Sequence, residues 1–289
     1  MLDALAEVLG DGLPDHLDRV AEFLRRRFTG DYEIDDYGLD PHLTEHVLIP
    51  LVQPLYRHWF RVASHGRDTI PPGGALVVAN HAGTLPVDGL MLHVDLWEAS
   101  GRHPRELGAD LVFETPVIGH FARKSGVTRA NNRDADDLLA RGELVVVFPE
   151  GFKGLGKPFA SRYQLERFGR GGFVATALRA GVPIVPTAIV GSEEIYPLLW
   201  DARQIARALG LPYFPFVAQM LALPFLGPVG LLPLPSKWSI TYGEPIDTSD
   251  LGPDAADDPM VVFELADRVR STIQDMLTTI LMGRQSVFF

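Results

Sequence analysis

The chain has 289 residues, long enough to bury one sizeable core without demanding two. Its composition, 46% hydrophobic and 22% charged, is that of a globular protein and excludes long disorder. A net charge of -11 argues against a nucleic-acid binder, and the absence of cysteine excludes disulfides, thiolate metal sites and a Cys nucleophile.

Asp3, Glu7 and Asp11 leave the first residues without the basic start and unbroken apolar run of a signal peptide. Residues 15–28 place Leu17, Val20, Ala21, Leu24 and Phe28 on one helical stripe, with Arg25, Arg26 and Arg27 at the end where cations suit the helix dipole. The acidic stretch 31–40 reads as a linker. It closes an N-terminal helical segment, 1–42, ahead of the main domain, 43–289. Residues 43–64 are apolar and aromatic, one or two short helices bent at Pro50 and Pro54.

Strands and helices then alternate. Strands are expected at 75–80 (ALVVAN), 107–113, 143–149 (ELVVVFP), 182–190 (VPIVPTAIV) and 238–242 (WSITY). Helices are expected at 87–99, 116–124, 134–140, 172–180 and 264–281. Apolar strands separated by helices predict an α/β fold, a mostly parallel mixed sheet flanked by helices. Residues 212–234 are apolar but interrupted by Pro212, Pro215, Pro224, Pro228 and Pro233, so they cannot run as one spanning helix. This segment suits a membrane interface or the lining of a lipid cavity.

Three clusters carry candidate chemistry. His81 follows a buried strand directly, at the sheet edge where ligands of open parallel sheets bind, and Asp88 begins the next helix. Such a pair suits a general base and the carboxylate that orients it; a histidine that merely closes the strand is about as common. Phe148-Pro149-Glu150-Gly151-Phe152-Lys153-Gly154 ends the next buried strand. Its glycines permit close backbone approach, and Lys153 and Lys157 can hold a phosphate as point charges; a solvated surface turn is the plain alternative. Arg123, Lys124, Arg129 and Arg133 form a local basic group around Gly126, suited to phosphate or equally to a solvated face. The run Val182 to Pro186, on towards Ser192-Glu193-Glu194, reads on its own as core packing.

In this order, Asn80-His81 with Asp88, Gly126 with Arg129, Phe148-Pro149-Glu150-Gly151, and Val182 through Pro186 resemble the four motifs of the glycerolipid acyltransferase family, which contains the lysophosphatidic acid acyltransferases. The resemblance covers roughly residues 70–245, and the extended wording (FPEGFKGLGKPF, VGSEEIYP, ITYGEPI) looks like an actinobacterial branch. It implies that His81, oriented by Asp88, deprotonates a lipid hydroxyl that attacks the thioester of acyl-CoA or acyl carrier protein. It implies further that Arg129, Glu150, Gly151 and Lys153 bind the acceptor's polar head, and that Pro186 borders the acyl site. No metal, cofactor or covalent acyl-enzyme is implied. The partners would be the thioester donor, a lysophospholipid or other lipid hydroxyl, and the inner face of the cell membrane, reached peripherally from the cytoplasm.

Two departures qualify the match. The commonest family spacing puts the Asp five positions after the His, where this chain has Pro86. Phe152 stands where phosphate-handling members commonly carry Thr or Ser. The acceptor is therefore open between 1-acylglycerol-3-phosphate, giving phosphatidic acid, and a diacylglycerol, long-chain alcohol or glycolipid. A non-catalytic lipid binder is a further reading. A Ser-His-Asp hydrolase is disfavoured, because no Gly-x-Ser-x-Gly elbow occurs.

Overall fold

The structure, a computed structural model, describes residues 13–169, 171–209 and 214–288. Its centre is a seven-stranded sheet in the order β1-β9-β6-β2-β5-β3-β4. The strands are β1 (Ala63–His65), β2 (Ala75–Ala79), β3 (Arg105–Gly108), β4 (Thr128–Arg129), β5 (Leu144–Val147), β6 (Ile184–Val190) and β9 (Ser239–Tyr242). A separate hairpin pairs β7 (Leu198–Asp201) with β8 (Pro215–Val217). The five strands from β6 to β4 are parallel, β9 runs antiparallel to β6, and β1 runs parallel to β9, so the sheet is mixed as the strand–helix alternation predicts.

Residues 75–79 and 184–190 are buried throughout, because helices cover both faces of the sheet. Alternation divides β2 between two cores. Leu76 and Val78 join one with α6 (Asn132–Ala140), α8 (Gly172–Ala180) and α11 (Pro259–Gly283). Ala75, Val77 and Ala79 join the other with Met91, Leu92, Val94 and Leu96 of α3 (Val87–Ser100) and with Tyr56, Phe60 and Trp238.

The remaining helices are α1 (Leu13–Thr29), α2 (a helical run over 41–59), α4 (Asp110–Glu114), α5 (Ile118–Ser125), α7 (Phe152–Leu155), α9 (Arg203–Leu209) and α10 (Leu223–Leu226). The structure corrects or refines the expected elements in four places. The strand predicted over 107–113 stops at Gly108, and Asp110 opens α4. α2 is a single continuous run where one or two helices are expected, with π-turns at Thr44–Leu48 and Leu55–Trp59 on either side of Pro50 and Pro54. β1, only three residues long, lacks an apolar run that would announce it. Finally, the stripe on α1 does not face the core. Val20, Leu24 and Phe28 are exposed, while Phe23 stacks on His42 at 5.1 Å and Arg27 forms a bidentate pair with Asp40 at 2.8 Å. The Leu17 side chain lies outside the described residues, as do Pro212 and the adjoining start of the proline-rich segment.

Candidate active site

The C-terminal ends of the parallel strands carry the site. Where β2 stops, the Asn80 side chain continues the ladder: its oxygen accepts the Ile189 N–H at 2.7 Å and its nitrogen donates to the Ile189 carbonyl at 3.0 Å. This fixes the chain as it turns into His81. Asp88 lies in the first turn of α3, where a negative charge suits the helix dipole. Its Oδ2 accepts from His81 Nδ1 at 2.8 Å and from the Ala82 N–H at 2.7 Å, and its Oδ1 accepts the Gly89 N–H at 2.9 Å.

The seven-position spacing is taken up by a tight excursion. Gly83 has φ +98° and Thr84 φ +70°, and two close turns link Leu85 N–H to Gly83 and Val87 N–H to Leu85. Gly83 is required for space as well, since a Cβ there would lie 2.6 Å from the Ser192 carbonyl oxygen. The Asp88 carboxylate is fully buried and can only accept, so the bonded His81 nitrogen is the protonated one. Nε2 then keeps its lone pair, and among the described residues it has no hydrogen-bond partner. The imidazole packs on Phe148 at 4.5 Å, and its side chain is 11% exposed.

The loop after β5 holds His81 from the other side. Glu150 Oε1 accepts the His81 N–H at 3.0 Å, and Oε2 accepts the Glu166 N–H at 2.7 Å. Gly151, at φ +54°, starts α7. Gly154 presses on His81: a Cβ there would lie 2.3 Å from the His81 carbonyl oxygen. Lys157 turns inward, 3.3 Å from Glu150 Oε2 and 3.4 Å from Glu193 Oε1. Burial pushes the Glu193 carboxyl up to about 7; the Lys157 ammonium and the Tyr163 N–H pull it back, and Glu150 adds to the rise.

The structure brings some of the sequence-predicted residues together and leaves others apart. His81, Asp88, Glu150 and Gly151 come together at adjacent strand ends. Arg129 and Lys153 are exposed on the same edge of the sheet. The Arg129 guanidinium stands 3.7 Å from Asp110 and lies near the Phe113 ring, and Lys153 has no partner among the described residues. Three of the named residues are buried. Glu150 is buried with both oxygens engaged inside the protein, and so holds the His81 loop. Lys157 is sealed between two carboxylates and is no phosphate ligand. Pro186 lies mid-strand opposite Val78, with its carbonyl accepting from Gly243 N–H, inside the core. The sequence reading took Gly154 as permitting close approach to a ligand, whereas here it abuts the His81 carbonyl, and it left Glu193 with the packing run after Pro186.

A partly exposed imidazole with one nitrogen on a buried carboxylate, at the carboxyl ends of parallel strands, is an arrangement suited to proton transfer. The acyltransferase family model matches residues 61–190. An uncharacterized protein of Mycobacterium tuberculosis is 56% identical over 273 residues, 93% of this chain and 75% of that protein. A Mus musculus protein described as a DGAT1/2-independent enzyme synthesizing storage lipids is 24% identical over 222 residues, 76% of this chain and 60% of its own length. The crystal structure of the 1-acyl-sn-glycerophosphate (LPA) acyltransferase PlsC from Thermotoga maritima superposes with a TM-score of 0.53 at 19% identity, covering 83% of this chain and 81% of that one, and so shares the fold. The chain belongs to the glycerolipid acyltransferase family.

Proposed function

We propose that the protein transfers a fatty acyl group from an acyl thioester, acyl-CoA or acyl carrier protein, to the hydroxyl of a 1-acylglycerol-3-phosphate, giving phosphatidic acid. The observation that carries this is the His81–Asp88 pair, with Nε2 open to the sheet edge. His81 Nε2 takes the hydroxyl proton while the alkoxide oxygen attacks the thioester carbonyl. Asp88 holds the tautomer and stabilises the imidazolium. The tetrahedral intermediate collapses, the C–S bond breaks, and the imidazolium returns its proton to the departing thiolate. No cofactor enters this step. Arg129 and Lys153, the exposed cations of the edge, receive the acceptor's phosphate.

A neutral hydroxyl lipid is a second reading, favoured by the burial of Lys157. That burial leaves the edge with fewer cations than its sequence offers.

Because the chain has no cysteine, thiol release from palmitoyl-CoA can be followed with a thiol reagent without protein background. Release that depends on lysophosphatidic acid, and that falls by about 100-fold or more in a folded His81→Ala variant, is expected. Release with diacylglycerol or a long-chain alcohol alone would move the acceptor to the neutral class. No acceptor-dependent release from either CoA or carrier-protein thioesters would reject the transferase reading. Peripheral membrane contact through exposed apolar side chains accompanies this function; among the described residues no helix is long and apolar enough to cross a membrane.

A further inference from the structure

Behind His81 lies a buried charge cluster that the proposed chemistry does not use. The Lys157 side chain is 2% exposed and meets two carboxylates, Glu150 at 3.3 Å and Glu193 at 3.4 Å. Glu193 Oε1 is fixed in turn by the Tyr163 N–H at 2.8 Å. An isolated ammonium at this depth would be very costly, and so would Glu150 if its only partners were neutral amides. The two needs meet at one point, since Glu150 Oε2 faces Lys157 while Oε1 accepts the His81 amide. Gly154 and Gly156 allow the short turn that sends Lys157 inward, with its own N–H donating to the Gly154 carbonyl at 3.3 Å. That same Gly154 abuts the His81 carbonyl. One loop therefore grips the His81 peptide on both sides, and Lys157 is its only buried cation.

We propose that Lys157, seated on Glu193, is a positioning residue for His81: its ammonium holds the Glu150 carboxylate aimed at the His81 amide, and so sets where the imidazole stands. This rests on the reading of His81 as the base. A lysine that merely neutralises buried charge for the sake of the fold would behave differently, because its loss would lower global stability without singling out the His81 peptide.

The test uses the full chain as wild type, Lys157→Met, Lys157→Arg, Glu150→Gln and the Lys157→Met/Glu150→Gln double variant. Two readouts are taken: steady-state thiol release, and hydrogen exchange of the peptide spanning residues 76–86. The expected result for Lys157→Met is a kcat lower by ~10- to ~100-fold, the range seen when a supporting residue of a site is removed, with KM little changed. His81 amide exchange should speed up while exchange in α11 stays at the wild-type rate. Lys157→Arg should recover part of kcat. In the Glu150→Gln background, Lys157→Met should cost no more than about twofold, because the route through Glu150 is already cut.

Unchanged kcat with unchanged exchange overturns the proposal, as do effects of Lys157→Met and Glu150→Gln that simply multiply. A wild type without His81-dependent transfer would reject the reading of His81 as base, and the exchange readout would still decide whether Lys157 holds the His81 peptide. If Lys157→Met does not fold, Lys157→Gln, which keeps a neutral donor, carries the same expectations.

Discussion

At the scale of single residues, the site is built by backbone contacts as much as by side chains. Nothing in the imidazole of His81 distinguishes it from any other histidine of the chain. What distinguishes it is a peptide held by Glu150 at its N–H, by Gly154 at its carbonyl, and by Asp88 at the ring. Gly154→Ala tests how closely this matters. A methyl group 2.3 Å from a carbonyl oxygen cannot be accommodated, and the nearest neighbour is the His81 backbone, so the His81 loop must move. A displacement of about 1 Å at a reacting group costs on the order of 100-fold in rate. Gly154→Ala is therefore expected to lose about that much in kcat while keeping its secondary structure, as checked by thiol release beside circular dichroism. Activity within a few-fold of wild type would mean that His81 is not held from this side.

At the scale of elements, the loop after β5 and the turn after β6 meet through Glu150, Lys157 and Glu193, and this contact carries a pH dependence. Glu193 has a carboxyl raised from 4.5 to about 7. Between those values the folded protein holds a proton that the unfolded chain has released. Stability from this group is therefore present below pH 4.5, falls as pH rises through the window, and is level above it. The shift corresponds to about 3 kcal/mol. Glu193→Gln keeps an acceptor for the Tyr163 N–H and removes the titration. In urea unfolding, the variant should exceed wild type at pH 8, with the difference shrinking towards pH 5. An equal difference at both pH values would show that Glu193 is not the titrating group.

This contact also marks where the sequence stops being legible. The strands at 75–79, 144–147 and 184–190 are readable because burial on both faces leaves continuous apolar runs, and His81 and Asp88 are readable because they stand where such a strand meets a helix. Lys157 is not. A lysine between Gly156 and Pro158 looks like a solvated turn, and only the folded chain brings Glu150 and Glu193 to it. Glu150 is legible as a site residue but not in its direction, since which way a carboxylate points depends on amides distant in sequence, here those of His81 and Glu166. The false strand at 109–113 has a similar cause. Its side chains suit a strand, but the tertiary structure lets Asp110 start a helix after Gly108.

At the scale of the whole molecule, many of the exposed apolar side chains fall in two segments. Leu51, Leu55 and Trp59 recur every four residues along α2, and the Trp59 indole N–H donates to the Pro233 carbonyl, tying that helix to the proline-rich segment. Residues 214–235 contain no charged side chain. Within them Phe225 is 86% exposed, and Leu221, Leu226, Val229 and Leu232 are also open to solvent. Patches of this kind on a soluble surface mark an interaction site. The same segment reaches the His81 loop: Gln219 donates to the Ile195 carbonyl, and Thr84 donates to the carbonyl of the adjacent Tyr196. A surface that meets a lipid monolayer beside the base would deliver a lipid hydroxyl without carrying its chains through water. The chain's charge of -11 gives no general attraction to anionic lipid, so the uncharged segment is expected to carry an apolar contact. The protein is therefore expected to float with neutral phosphatidylcholine vesicles, and raising the salt should not release it. Phe225→Asp with Val229→Asp should lower the bound fraction by about 10-fold or more, since each large apolar side chain withdrawn from the interface forfeits roughly 1.5–3 kcal/mol. Wild type that stays in the soluble fraction with neutral and anionic vesicles alike would overturn the membrane contact, and a doubly charged variant that floats as well as wild type would assign the proline-rich segment another purpose.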